Sequence, residues 1–192
     1  LIITTFVKDR SGFSKGVPDN ELGNLWSTMN TLFDQGKIFA DSDFKVKRVR
    51  KLKSSIGVRE FKELHPILML RLSNFVSQYK QLAQREGEKK IIMDKDSIRY
   101  YLTTCNAFLG EKKSERYTVM REGVPITSSV PVTDAKDNIL YDKLNNPLTK
   151  QVPVYKDGRF LCFDYQILHD RYGLRLETFT ALGSDSDDDE ED

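Results

Sequence analysis

The densest group of side chains with a recognisable chemistry is a basic segment in the first third of the chain. Six of the nine residues from 45 to 53 are cationic: Lys45, Lys47, Arg48, Arg50, Lys51 and Lys53. Such a cluster can neutralise phosphates and release counterions, which supplies most of the non-specific affinity of a protein for nucleic acid. The interleaved Val46, Val49 and Leu52 indicate a strand or a helix edge that is anchored to the body, with the charges facing outward. The segment predicts a nucleic-acid-binding surface, with an acidic protein partner or a solvated face without a specific ligand as alternatives.

The second group with a clear chemistry is an acidic tail. Seven of the last eight residues carry a carboxylate, and without them the formal net charge of the chain rises from +1 to +8. A segment of this composition buries no apolar area, so we expect it to be disordered. It can screen a basic groove, imitate nucleic acid, bind a basic protein or simply aid solubility. The residues predicted to bind a basic protein partner are Asp187, Asp188, Asp189, Glu190, Glu191 and Asp192.

Residues that could carry catalysis are few. The chain contains no Gly-rich phosphate loop followed by Lys and Ser/Thr, no dinucleotide-binding fingerprint and no nucleophile elbow. It has two histidines, His65 and His169, and two cysteines, Cys105 and Cys162, and no set of close-spaced zinc ligands. Both cysteines lie in apolar patterns and are predicted to be buried thiols. We therefore expect a protein that is not an enzyme and that uses neither a cofactor nor a metal.

The elements that must position these groups are mostly helical in the first half. The predicted elements are a strand over 1–7 and helices over 19–36, 58–64, 66–85 and 94–110. The helix over 19–36 has a clear apolar face, and Trp26 is expected to lie in the core on that face. Pro66 is placed at a fresh helix start, because proline is tolerated in a first turn. Asp94 and Asp96 are candidate N-caps, since a carboxylate there can accept from free N–H groups of the helix.

Beyond residue 113 the pattern changes to short segments rich in Val, Ile, Thr and Tyr, which are typical of strands. The predicted strands are 117–120, 124–132, 139–141 and 152–155. Asp157-Gly158 lies between two apolar runs and predicts a tight hairpin turn. Asp164 is expected to cap a last helix that ends at Gly173, and 174–179 a final strand. No internal repeat is evident in the sequence.

Together these patterns predict an α+β fold. Its helical N-terminal part, of three to four helices, packs with a small antiparallel β-meander, and a disordered acidic C-terminal tail follows. Residues 1–110 form the helix-rich part with the basic segment, 111–180 the β-rich part with one short helix, and 181–192 the tail. No apolar run approaches the roughly 20 residues that span a bilayer, and the short apolar start is followed directly by charges. We expect no membrane association and no signal peptide, and a location in the cytoplasm or nucleus of a host cell or within a virion.

The basic body with an acidic tail is similar in outline to phage single-stranded DNA-binding proteins, whose tails recruit replication partners. The likeness covers the tail and the charge split only. Those proteins have a β-rich core that the predicted helical first half does not match, so neither their fold nor their residues carry over. We predict a non-enzymatic nucleic-acid-associated protein, viral or phage in type, in genome handling or nucleoprotein assembly. The alternative is a structural or assembly subunit that binds other protein chains, and a homo-oligomer is compatible with both.

Overall fold

The computed structural model of the chain describes residues 19–85 and 93–176, and their fold is α+β. The helices in these residues are α1 (Asp19–Asp34), α2 (Leu72–Arg85), α3 (Lys95–Thr104) and α4 (Tyr165–Tyr172). The strands are β1 (Phe44–Ser54), β2 (Gly57–Leu70), β3 (Phe108–Thr118), β4 (Met120–Arg121), β5 (Val124–Pro125), β6 (Thr127–Pro131), β7 (Thr149–Pro153) and β8 (Tyr155–Asp164). The predicted strand over 1–7, the end of the predicted strand over 174–179 and the acidic tail lie outside the described residues.

The central feature is a four-stranded antiparallel sheet with the order β1-β2-β8-β3. Its two outer strands approach each other at one end, where the Ser55 N–H donates to the Glu111 carbonyl at 2.8 Å. The Ser54 hydroxyl likewise donates to the Leu109 carbonyl at 2.7 Å. This approach requires glycine at position 110, because a Cβ there would lie 2.4 Å from the Ser54 hydroxyl oxygen. The sheet is therefore curled.

The helices cover one face of this sheet and form the larger core with it. Trp26 of α1 packs edge-to-face on Phe163 of β8, with 5.1 Å between the ring centroids. Phe75 of α2 and Leu102 of α3 are also fully buried in this cluster. The opposite face of the sheet holds a second, smaller buried cluster, formed by Leu52, Ile67, Met69, Leu109, Phe160 and Cys162. All four strands contribute to it, so the curl of the sheet itself keeps these side chains from water.

Several local predictions are confirmed. Helix α1 forms with Trp26 fully buried. The side chain of Asp94 accepts from the Ser97 N–H at the start of α3. Asp164 caps α4 in the same way, and Gly173 ends that helix with a φ of 66°. Cysteines 105 and 162 are free and buried.

The helix predicted over 58–64 and the helix start at Pro66 are wrong, because these residues belong to β2. Val58 and Leu64 are more than half exposed, so their helix-like spacing marks no buried face. Pro66 pairs with Arg48 of β1, and the pairing of β2 with β8 begins only at the next residue. A proline is tolerated there because only one side of the strand is paired. Helix α2 begins at Leu72.

Three further features differ from the prediction: the end of a helix, a turn and the order of the strands. Helix α3 ends at Thr104, and residues 108 and 109 open β3. Asp157-Gly158 makes no turn, since β8 runs through both residues and pairs them with Arg116 and Glu115. The strands after residue 110 are antiparallel, as expected, but they do not form a sequential meander. Instead, β8 joins the main sheet beside β2, and β3 pairs with the other side of β8. The chain between β3 and β8 forms a separate arm, residues 119–154.

Candidate nucleic-acid interface

The basic segment forms β1, an outer strand of the main sheet, and its charges divide between two environments. Lys45 and Lys47 lie toward β3, where their ammonium groups are 3.4 and 3.0 Å from the Glu115 carboxylate. The Lys45 ammonium also donates to the carbonyl of Arg116. These two cations are therefore bound within the protein, and they help to hold the outer strands together.

Glu115 is the anchor of this cluster and is almost fully buried, with 8% of its surface exposed. A third ammonium, that of Lys112, lies 3.0 Å from its other carboxylate oxygen. Burial by itself raises the pKa of Glu115, but the hydrogen bonds and charges of Lys47 and Lys112 outweigh it and hold the pKa below its usual value. One carboxylate thus faces three ammonium groups, and the cluster keeps a local excess of positive charge.

The other four cations of the segment, Arg48, Arg50, Lys51 and Lys53, are exposed. Lys51 lies 3.4 Å from Glu60 across the hairpin, and both side chains are more than half exposed, so the ion pair is weak. Arg50 stands where the pairing of β1 with β2 shifts register, between Val49 and Lys51. These guanidinium and ammonium groups are placed to meet an anion from solvent.

The second strand of the hairpin adds cations that the sequence interpretation missed. Arg59 and Lys62 of β2 are exposed, and Arg59 lies over the ring of Phe61 at 5.9 Å. We define the basic hairpin as residues 48–63, in which six exposed cations accompany two exposed carboxylates. Arg59 and Lys62 could have been found from the same charge count, but the helix predicted over 58–64 separated them from the basic segment. The hairpin unites them on one element.

Aromatic rings and arginines stack elsewhere on the sheet. The Arg116 guanidinium lies 4.1 Å from the ring centroid of the exposed Tyr155, where β3 and β8 leave the sheet. Arg71 lies at the same distance over Tyr117. Tyr117 and Arg71 line an open groove of about 770 Å³ beside the start of α2. These pairs are cation–π contacts of the kind that also bind nucleobases.

Three polar side chains of that groove, Asp43, Arg71 and Asn74, bond to each other. Asp43 is fully buried and accepts from the Arg71 guanidinium at 3.0 Å and from the Asn74 amide at 2.8 Å. Burial raises the pKa of Asp43, although the hydrogen bonds from Asn74 and Phe39 and the charge of Arg71 oppose the rise. The network fixes the turn before β1 against the start of α2. The buried carboxylate of Asp43 therefore has a structural role.

The structure shows the surroundings of three candidate catalytic residues, His65, Cys105 and Cys162. His65 stacks on Phe61 at 4.4 Å, and its Nε2 lies 2.9 Å from Asp164, the residue that caps α4. Burial raises the pKa of both Cys105 and Cys162 to about 11, so the thiolates that would act as nucleophiles are scarce at neutral pH. Within residues 19–85 and 93–176, no group of three metal-ligating side chains occurs.

The arm, residues 119–154, contributes no side chain to either buried cluster. It is built on two rings of backbone hydrogen bonds. In the first ring, the N–H of Val119 donates to Val154, that of Val154 to Ile126 and that of Ile126 to Val119, at 2.8 to 2.9 Å. A second ring joins residues 132, 140 and 148 in the same cyclic order, with each bond at 2.8 Å. At each ring three strand pairs meet, so the arm has a defined backbone without a core of its own.

The arm also contains a short tandem repeat, so the expectation that the chain has no internal repeat is wrong. Asp134 and Asp142 occupy equivalent positions eight residues apart. Each carboxylate accepts from the backbone N–H groups two and four residues later, at 2.8 to 3.0 Å. Asp137 and Asn145, at the matching turn positions, have φ angles of 63° and 62°. Each repeat is therefore one polar turn on the second ring.

The predicted partner-binding residues 187–192 lie outside the described part of the chain. In the described residues no helix has the length and apolar character of a membrane span. Comparison of the chain with known protein families, with curated proteins and with solved structures gives no match.

Proposed function

We propose that this chain is a non-enzymatic nucleic-acid-associated protein that acts in genome handling or nucleoprotein assembly. The observation that carries the proposal is the basic hairpin, where Arg48, Arg50, Lys51 and Lys53 of β1 and Arg59 and Lys62 of β2 are exposed together. Such an element can follow a phosphate backbone, because its charges project from a fixed strand pair whose backbone loses little freedom on binding. The ligand class is therefore a polyanion bound through its backbone.

The hairpin is held in place by contacts that leave these cations free for the ligand. Leu52 is buried in the second cluster, and Ser54 and Ser55 bond to β3. Lys45 and Lys47 are expected to act mainly through Glu115, by fixing the strand. Arg48, Arg50 and Lys53 have no ion pair within the described residues, and they are the residues we expect to contact phosphates most directly.

The triple substitution of Arg48, Arg50 and Lys53 with Ala tests the interface. We expect weaker binding to all sequences alike, and a dependence of log affinity on log salt that is flatter by about 2 to 3 units, at roughly 0.7 to 0.9 per lost phosphate contact. Fluorescence anisotropy with single- and double-stranded oligonucleotides at several salt concentrations measures both quantities.

The matched control replaces three exposed lysines of the arm, Lys136, Lys143 and Lys150, with Ala. This variant loses the same formal charge but leaves the basic hairpin intact. It is expected to keep nearly the original salt dependence, apart from a small loss of long-range attraction. Equal effects of the two triple substitutions would overturn the assignment of the hairpin, because only net charge would then matter.

The acidic tail, which is proposed to bind a basic protein partner, also affects the binding of nucleic acid. If the body binds nucleic acid, the seven carboxylates of the tail compete for the same cations. Deletion of residues 183–192 is then expected to tighten non-specific binding at low salt, with a smaller gain at high salt as screening increases. Equal affinities of the full and shortened chains at both salt concentrations would exclude this competition and would favour a tail that serves a protein partner alone.

A second candidate function is that of an assembly subunit that binds other protein chains, and the arm favours it. Seven large apolar side chains of the arm are more than a third exposed: Val124, Ile126, Ile139, Leu140, Tyr141, Leu144 and Leu148. Exposed apolar groups concentrated on one projecting element are typical of interaction surfaces. A stable complex whose formation depends on the arm would support this function, and unchanged assembly without the arm would count against it.

A further inference from the structure

Strand β6 of the arm has an open edge. Among the described residues it pairs only with β7, from Thr127↔Pro153 to Pro131↔Thr149. The backbone bonds that flank this ladder join residue 126 to 154 and residue 132 to 148. Because hydrogen-bonded and non-bonded pairs alternate in an antiparallel ladder, residues 128 and 130 bond to β7. The N–H and C=O groups of Thr127 and Ser129 therefore point away from β7, toward solvent.

This edge has only part of the usual protection against strand pairing. Natural edge strands carry charges or prolines that prevent other strands from adding to them. The five residues of β6 are Thr, Ser, Ser, Val and Pro, and none of them is charged. Pro131 lacks an N–H at an outward position, so it limits the length of any added pairing without blocking the centre of the strand. By contrast, β7 carries Lys150.

The charge of the arm favours a second copy of this chain over nucleic acid as the occupant of the edge. Four cationic and four anionic side chains lie within residues 119–154, so the arm is formally neutral, whereas the basic hairpin carries a large excess of cations. Two arms therefore do not repel each other, and neither attracts phosphate. A strand without charge that pairs with its own copy about a two-fold axis also brings no like charges together.

We propose that β6 pairs antiparallel with β6 of a second copy, with the two-fold axis at Ser129. In this arrangement the two Ser129 residues exchange N–H and C=O bonds, and each Thr127 N–H donates to the Pro131 carbonyl of the other copy. A four-stranded sheet of the order β7-β6-β6-β7 results, and exposed side chains of two arms are brought together. This inference deepens the assembly function and rests on it.

Replacing Ser129 with Pro tests the pairing. The substitution removes an N–H that points to solvent in the single chain, so β6 and β7 should still pair. By symmetry it removes two hydrogen bonds from the dimer, and we expect dimerisation to weaken at least about tenfold. The control is Gln151→Pro, which removes the corresponding outward N–H from β7 and should leave the dimer unchanged. Sedimentation equilibrium of the full chain, freed of nucleic acid, measures each association constant, and circular dichroism checks the fold.

The outcomes separate the proposed pairing from the assembly function itself. A concentration-dependent dimer that Ser129→Pro weakens and Gln151→Pro does not would support both. A chain that stays monomeric up to about 1 mM would overturn the pairing. An oligomer that is lost when residues 132–148 are replaced by a two-residue turn, but that is insensitive to Ser129→Pro, would keep the assembly function and exclude this edge. Equal effects of the two proline substitutions would also exclude it.

Discussion

Phe75→Ala is expected to lower the free energy of unfolding by about 3 to 5 kcal/mol, as for other fully buried aromatic side chains. Phe75 is fully buried at the start of α2 and belongs to the core that α1, α3 and α4 share with the sheet. Its ring also lies 6.4 Å from that of Tyr79, one turn later on the same helix. Removal of the ring leaves a cavity between elements that are far apart in sequence, and these cannot close over it without shifting the sheet.

The matched control for this prediction is Tyr100→Ala, since Tyr100 is also an aromatic residue on a helix but is 64% exposed. Its loss should cost less than about 1 kcal/mol, because little buried area is removed and Ala favours the helix. Urea or guanidinium unfolding curves of the two variants give the comparison. A loss for Phe75→Ala no larger than that for Tyr100→Ala would contradict the packing of α2 against the sheet.

The helices that could be predicted from the sequence are those whose signals are local. Helix α1 has an apolar stripe that is buried as its spacing predicts, and Asp94 and Asp164 accept N–H bonds within three residues of themselves. Gly173 ends α4 with a positive φ angle, a property of that residue alone. Such features depend on the nearest neighbours in the chain, so a single sequence is enough to find them.

The strand β2 could not be found in this way. Val58 and Leu64, with Phe61 between them, have a helical spacing, yet their strand is defined by its pairing with β1. Between the pairs Val49↔His65 and Lys51↔Glu60, β1 has one residue and β2 has four, so β2 carries three extra residues. This bulge destroys the simple alternation that marks a strand in a sequence. Tertiary pairing therefore decides the structure of this segment.

The finding that β2 is a strand changes what the charge pattern implies. A first half that was predicted to be helical contains the longest hairpin of the described residues, β1 with β2. The basic segment is thus a strand with a cationic partner strand, and its charges lie on both sides of one turn. The positions of the cations were evident from the sequence. The division of these cations between internal ion pairs and solvent was not evident, because Glu115, which binds Lys45 and Lys47, lies about 70 residues later in the chain.

Strands were predicted within the arm over 124–132 and 152–155, but its separation from the main sheet was missed, for a different physical reason. Its backbone is fixed by rings of hydrogen bonds among Val119, Ile126 and Val154 and among their counterparts at the second ring. Backbone bonds leave no pattern of side chains, and the tandem repeat keeps mainly the Asp and Asn residues of its turns. The apolar residues of the arm were assigned to a β-meander packed with the helical part, whereas they are exposed.

Glu115→Gln is expected to cost about 2 to 4 kcal/mol of stability near neutral pH. The amide has nearly the same shape as the carboxylate but no charge, so three ammonium groups lose their counterion, and that of Lys45 is only 13% exposed. The control is Glu60→Gln, which breaks the exposed pair with Lys51 and should cost less than about 1 kcal/mol. Thermal and urea unfolding of both variants measure the difference.

The pH dependence of this difference identifies its cause. The pKa of Glu115 is lowered in the folded protein, so its charge stabilises the fold fully above the ordinary pKa of about 4.3. That contribution disappears as the pH falls through the lower pKa of the folded state. The stability gap between the original protein and Glu115→Gln should therefore be constant around neutral pH and shrink in acid. A gap that stays the same at acidic pH would mean that the substitution acts through packing, and the three lysines would then not depend on the carboxylate charge to hold β1 against β3.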